Sequence, residues 1–380
     1  MYGLIDVGDW QTYVDLKTGL ELDTGQPPML AELLKNSPYP GDGEISVSWV
    51  RQTAERIISL YDPHWLMLTY TQPVFAQNTG LQPESLQPLH RRIINDILEL
   101  CRSKAYETVI VMTGAKVPLK EEIINLPTTG LLETSPWGSA LAGLSGAVPE
   151  DEEILLQQPY IKQVVSKTDI LTKHPEADEN FRYYLPDYCL VAADGYLFRG
   201  FNSHFPKKKT LADLCAASIP VYSTLGTPNH IRELYGIMKN ALLNGKKVLL
   251  AVIEGYRADA AVPSGFHMCG NKDEWYSYAG LAQYLLLSSG KAFYETPYPP
   301  VYNRTKKKRE TVYPFSGFFV SIPADTLGDL PGIRSAVVSS RSMIVHMAAN
   351  ADLAIECYCR DKSTMGTMAA IKQALASSLA

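Results

Sequence analysis

Cysteine is scarce in this 380-residue chain, with six residues at positions 101, 189, 215, 269, 357 and 359. That is too few for a disulfide scaffold, so packing must hold the core, and a reducing, cytoplasmic setting is expected. Long apolar runs are also missing. No stretch of about 18 uncharged apolar residues occurs, so no membrane-spanning helix is expected. The opening MYGLIDVGDW has neither a basic n-region nor an apolar h-region, and no secretory signal is expected from it. There is no excess of positive charge: 35 Lys and Arg stand against 40 Asp and Glu, a net charge of −5. Nucleic acid and acidic membranes therefore have no global electrostatic reason to bind. Walker A, GxGxxG and GxSxG are absent, and the seven histidines make no HxH, HxxxH or HExxH spacing. The usual phosphate cradles, the nucleophile elbow and a metal-binding helix are thus not indicated. No internal repeat or low-complexity segment occurs.

What is present is apolar material: 46% of the residues are hydrophobic, enough for a sizeable core. Val47 to Leu60 has helical spacing and stops before Asp62-Pro63. Trp65 to Tyr70 is too short for a helix and reads as a strand buried on both faces. A polar loop is expected over Thr71 to Gln82, then an amphipathic helix over Leu86 to Leu100 with Pro88 in its first turn. Thr108 to Met112 is a second buried strand. Strand, helix and strand in this order predict a βαβ unit and a mainly parallel α/β sheet with helices on both faces.

An insertion or cap is expected at about 120–180. Tyr188 to Ala193 and Gly195 to Arg199 flank Asp194-Gly195, which reads as a hairpin or a strand ending in a tight turn. Ile219 to Ser223 and Lys247 to Ile253 are further strands. Helices are expected over His230 to Leu243, capped by Asn244-Gly245, and over Trp275 to Leu287, stopped by Gly290. Residues 1–294 would form the core domain. The proline-rich and basic stretch 295–314 reads as a linker or exposed loop. Residues 315–380 would form a small α+β, ferredoxin-like unit: strands at Gly317 to Ile322, Arg334 to Ala348 and Asp352 to Cys359, a short helix at Leu327 to Ile333, and a helix from Met365 to Leu379.

The segment Tyr61 to Lys116, with Asp62-Pro63, the strand Leu66 to Tyr70, a loop with Gly80, a long helix and the strand Thr108 to Thr113, resembles the alkaline phosphatase superfamily, in particular its phosphodiesterase and nucleotide-pyrophosphatase-like branch. Ser203-His204 and Ile219-Pro220-Val221 are similar to the closing histidine ligand and strand of that family. The resemblance implies hydrolysis of phosphate esters with divalent zinc or magnesium, activating a nucleophile and neutralising phosphoryl charge. Asp6 would be the counterpart of the first ligand aspartate. The chain departs from the pattern elsewhere. Thr71 to Asn78 holds no carboxylate or imidazole, and Ala115-Lys116 stands where Asp-His is expected. Lys116 would bring a fixed positive charge where a metal would sit. Ligands would then come from Asp6, Asp9, Asp194, His204 and Glu254, with Asp6, Asp194 and His204 the metal set.

A second constellation is independent of this resemblance. Glu254, Arg257, Asp259, His267 and Cys269 fall within 16 positions, after a buried strand. Ligand sites in parallel sheets lie at the carboxyl ends of strands, so this stretch reads as an active-site or binding loop, with Cys269 and His267 an imaginable nucleophile and base. Cys357 and Cys359 alternate on one strand and read as buried thiols. The basic runs Lys207 to Lys209 and Lys306 to Arg309 read as solvated loops. Three functions follow: a divergent phosphate-ester hydrolase using His204, Lys116 and Glu254; a non-catalytic binding or assembly module on the same fold; or an unrelated α/β enzyme using Glu254, His267 and Cys269. A phosphorylated small molecule is the partner the resemblance implies, and a second copy of the chain is the other partner expected; nucleic acid and membrane are not.

Overall fold

A computed structural model describes residues 2–6, 13–15, 28–41, 45–78, 83–134, 140–177, 179–199, 211–213, 216–258, 260–273, 275–278, 280–292, 295, 325–342, 348–359 and 365–372. Strands β1 (Tyr2–Asp6) and β2 (Tyr13–Asp15) precede helices α1 (Pro28–Asn36) and α2 (Ile45–Tyr61). Next come β3 (Trp65–Tyr70), α3 (Gln72–Asn78), α4 (Pro83–Lys104) and β4 (Glu107–Gly114). Elements outside the main sheet follow, β5 (Lys116–Pro118), β6 (Glu121–Ile123), β7 (Leu131–Thr134), β8 (Leu141–Ser145), α5 (Pro149–Leu156), β9 (Ile161–Ser166), α6 (Lys167–Lys173), α7 (Glu179–Tyr184), β10 (Tyr188–Ala192), β11 (Tyr196–Phe198) and β12 (Leu211–Asp213). The chain then runs through β13 (Ser218–Ser223), α8 (Glu233–Leu243), β14 (Val248–Tyr256), β15 (His267–Gly270) and α9 (Leu281–Ser289), and through β16 (Ser335–Ser342), β17 (Leu353–Cys359) and β18 (Met365–Lys372).

Ten strands form one sheet in the order β15-β13-β4-β14-β3-β16-β17-β18-β1-β2. The five central strands β4, β14, β3, β16 and β17 are parallel. The five remaining pairings, at both flanks, are antiparallel. The sheet is therefore mixed, a correction to the mainly parallel sheet expected above. The cause is connection length: crossovers through helices keep the centre parallel, whereas only residues 360–364 separate β17 from β18, too few for a crossover.

Alternation along each strand sorts the core into two layers. Leu66, Leu68 and Tyr70 of β3 pack with Leu30, Ile57 and Ile93 from α1, α2 and α4. Trp65 and Met67 face the other way, toward Leu234 and Met238 of α8 and Tyr284 and Leu287 of α9. All nine residues of β14 are buried, which is why its first six, Val248 to Ile253, read as an apolar run. A second, four-stranded sheet, β7-β8-β10-β9, lies with a small core of its own around Leu144, Leu190 and Phe198.

Several expectations need correction. Met365 to Lys372 is strand β18, not a helix. Its alternate residues feed both layers, Met368 and Ala370 on one side and Ala369 and Ile371 on the other. Pairing with β17 and β1 on its two edges overrides the helical preference of Met and Ala. The segment expected to stand as a ferredoxin-like unit thus contributes β16, β17 and β18 to the central sheet. The strand expected at Gly317 to Ile322 and most of the 295–314 linker lie outside the described residues. The polar loop after β3 contains α3. β10 and β11 do not form a hairpin, because β8 and β9 occupy both edges of β10 and β11 pairs with β6. The tight-turn alternative holds, with Gly195 at φ +87°. α4 begins at Pro83, so Pro88 lies inside it. α9 begins at Leu281 because Asn271 gathers the preceding chain, its Nδ2 donating to the carbonyls of Ala216 and Tyr278 at 2.8 and 2.9 Å.

Candidate functional site

Five parallel strands end along one edge of the sheet, where ligand sites of open α/β sheets lie. The register there aligns buried polar residues: Thr113 beside Glu254, Thr69 beside Ser339, and Ser339 beside Glu356. Tyr284 of α9 donates its hydroxyl hydrogen to the Glu254 carboxylate. One strand along, Ser340 Oγ accepts the Thr71 N–H at 2.9 Å and donates to the Thr69 carbonyl at 3.0 Å. Ser340 is thus a buried bracket between the ends of β3 and β16. Ser340→Ala removes both hydrogen bonds and should destabilise the fold by about 2 kcal/mol in urea denaturation, whereas a loss under about 0.5 kcal/mol would mean the bracket is dispensable.

The end of β14 is irregular for a specific reason. Its register with β4 slips between Glu254 and Tyr256, a bulge centred on Gly255 at φ +113°. Gln77 Nε2 of α3 donates to the Gly255 carbonyl at 2.7 Å. A Cβ at Gly255 would stand 2.9 Å from the Pro73 carbonyl carbon and the Val74 nitrogen, so only glycine lets α3 approach this closely. The bulge carries the chain from Glu254, buried beside α9, to Tyr256 in the layer of α4.

Beyond the bulge lies a groove of about 480 Å³, bounded by α4 on one side and residues 257–264 on the other. That volume falls within the range of small-molecule pockets, roughly 300–1,000 Å³. Leu86, His90, Ile94 and Leu98 line it at a spacing of four, so they share one ridge of α4. Gln87, Arg91 and Asn95 form the adjacent, exposed ridge. Met112 of β4 and Tyr256 of β14 also line it, and Arg257, Val262 and Pro263 contribute from the loop. The loop is pinned by Tyr256, whose hydroxyl donates to the Ala260 carbonyl at 3.0 Å. Two guanidinium groups, of Arg91 and Arg257, are among the described lining residues.

His90 has an unusual position in this wall. It is buried, and its Nε2 has no hydrogen-bond partner among the described residues. Burial pushes its pKa down to about 4, so the ring is neutral near pH 7.

The residues expected from sequence are distributed as follows. Glu254 lies at this edge and Gln77 touches it. His267 and Cys269 sit on β15, the outermost strand, with β13 and β4 between them and β14. His267 Nε2–H donates to the Pro228 carbonyl at 3.1 Å. Cys269 is fully buried, and burial raises its thiol to about 12, the state of an inert core cysteine rather than a nucleophile. Asp194 is exposed in the turn after β10, 3.7 Å from Lys162 Nζ, beside a cavity of about 130 Å³ that Lys272 also lines. Asp6 ends β1, near the opposite flank of the sheet from β15. The structure therefore does not bring Asp6 and Asp194 together. Lys116 opens β5 directly after β4, and its side chain lies outside the described residues, as do His204, Asp9 and Asp259. Among the described residues no three His, Cys, Asp or Glu side chains gather as a metal site. Nor is any helix among them long and apolar enough to cross a membrane.

No family model, curated protein or solved structure matches this chain. The site must therefore be read from its own chemistry. His90 and Arg91 were not singled out from sequence. The signal is positional: His90 stands in line with Leu86, Ile94 and Leu98 on one ridge of α4, and Arg91 lies on the next.

Proposed function

We propose that this chain binds a small organic anion in the groove between α4 and the 257–264 loop, with phosphate esters the class to test first. The observation that carries this reading is the groove itself, a cavity at the carboxyl ends of β4 and β14 that joins Arg91 and Arg257 to apolar walls. Guanidinium groups pair with phosphate or carboxylate through charge-assisted hydrogen bonds, and low-dielectric walls strengthen them. The stretch after β14 is then a binding loop. Asp6 and Asp194, which the resemblance would enlist for metal, lie on opposite sides of the molecule, which favours a binding module over a phosphodiesterase built on that pair.

Calorimetric titration with phenyl phosphate tests the proposal. Arg257→Ala should weaken binding at least about tenfold, near 1.4 kcal/mol, and Arg91→Ala should weaken it further in the double variant. Unchanged affinity in the double variant would place the anion elsewhere and end this reading. Turnover of a nitrophenyl phosphodiester that Glu254→Gln abolishes would restore the hydrolase reading.

A further inference from the structure

We propose that the groove between α4 and the 257–264 loop takes an extended peptide bearing one phosphorylated side chain. This deepens the anion-binding reading above and rests on it. Length argues first. The lining runs along α4 from Leu86 to Leu98. Twelve positions at about 1.5 Å per residue make a trough roughly 18 Å long. A cavity of about 480 Å³ drawn out over that length is slender, and suits a chain better than a compact phosphate ester.

The rim supplies what a peptide main chain needs. Gln87, Arg91 and Asn95 are exposed at a spacing of four, and their side chains make no hydrogen bond or ion pair among the described residues. Each step is about 6 Å along the helix, close to the roughly 6.6 Å between alternate residues of an extended strand. A carboxamide both donates and accepts, so Gln87 and Asn95 can each pair with a peptide N–H and carbonyl. Across the groove, Ser264 adds a hydroxyl, and the backbone N–H and carbonyl groups of Ala261 and Val262 have no hydrogen-bond partner among the described residues. Side chains of an extended ligand alternate, so those turned inward meet Leu86, Ile94 and Met112. Arg91 stands midway between the two carboxamides, and with Arg257 on the opposite wall it marks the place of the phosphoryl group. Main-chain pairing then gives affinity, and the guanidinium pair selects the phosphorylated residue.

The full-length chain is titrated in a calorimeter with acetyl-Val-Ala-phosphoserine-Ala-Val-amide and with blocked phosphoserine alone. Three further probes are the serine and glutamate counterparts of the peptide and a copy N-methylated at both alanines. The phosphopeptide should bind at least about tenfold more tightly than each of the other four. Replacing both carboxamides, Gln87→Ala with Asn95→Ala, should cost the phosphopeptide about tenfold and leave blocked phosphoserine within about twofold. Both side chains are exposed, so this double variant should melt with the wild type; the N-methylated probe tests the same pairing without any substitution. Blocked phosphoserine binding as tightly as the phosphopeptide would overturn the peptide inference and leave anion binding intact. Full affinity of the N-methylated copy, or of the double variant for the phosphopeptide, would do the same. A serine or glutamate peptide that matches the phosphopeptide would overturn the phosphoryl assignment. Failure of blocked phosphoserine, the phosphopeptide and phenyl phosphate alike would remove the groove-binding reading itself.

Discussion

Gly255→Ala destabilises the fold by about 3 kcal/mol in equilibrium denaturation, and Gly255→Val by more. Two effects add. At φ +113° a side chain brings backbone strain of order 1–2 kcal/mol. The new Cβ also meets Pro73 and Val74 at 2.9 Å, and these are backbone atoms at the start of α3 that cannot rotate away. Relief requires α3 to move off β14, which breaks the hydrogen bond from Gln77 to the Gly255 carbonyl. Gly226→Ala separates the two effects, since Gly226 has φ +140° but no atom within 4 Å of its built Cβ. It should show the strain alone, about 1 kcal/mol. Equal losses at the two glycines would mean that the close approach of α3 does not constrain this edge.

His90 makes the second large effect one of pH. Its ordinary pKa of 6.5 is lowered to about 4 in the folded chain, chiefly by burial. The unfolded chain therefore takes up this proton first on acidification. Stability is fully present above about pH 6.5 and falls as pH drops toward 4, by about 3 kcal/mol at the bottom of that window. His90→Phe removes the titrating group, so its stability should fall less between pH 7 and pH 4.5, by about 2–3 kcal/mol. Asp62 and Glu107 are also held below the usual carboxylate range, by hydrogen bonds to Lys247 and Lys246, and weaken the fold in acid. Those contributions are common to both proteins and cancel in the comparison. Identical pH dependence of the two proteins would show that the ring is hydrated rather than buried.

The parallel centre of the sheet was legible because burial on both faces leaves a mark in one dimension. β3, β4 and β14 are each built on an apolar run, Trp65 to Leu68, Val109 to Met112 and Val248 to Ile253, and α2, α4 and α8 have helical spacing with recognisable stops. β18 was not legible. Its Met and Ala residues suit a helix, and pairing with β17 on one edge and with the distant β1 on the other makes it a strand. α3 was hidden for a related reason, since its polar residues serve the bulge and the ends of β3 and β16 rather than an apolar stripe. Of the site, Glu254 and Arg257 stood out by following a buried strand. His90 did not, because its meaning depends on a loop about 170 residues away closing over it. Burial also changed the reading of Cys269: beside His267 in sequence it resembles a nucleophile pair, yet its sulfur lies in the core.

The central claim is that an organic anion occupies the groove, and the methyl group of Met112 reports on it most directly. Methionine methyls are labelled with carbon-13, and 1-naphthyl phosphate is titrated into the intact chain. The Met112 resonance should shift and saturate, with weaker saturation in Arg257→Ala, while that of Met238, which belongs to α8 on the other face of the sheet, should stay in place. A ligand that binds while Met112 remains unmoved, or that moves Met238 instead, would contradict the account.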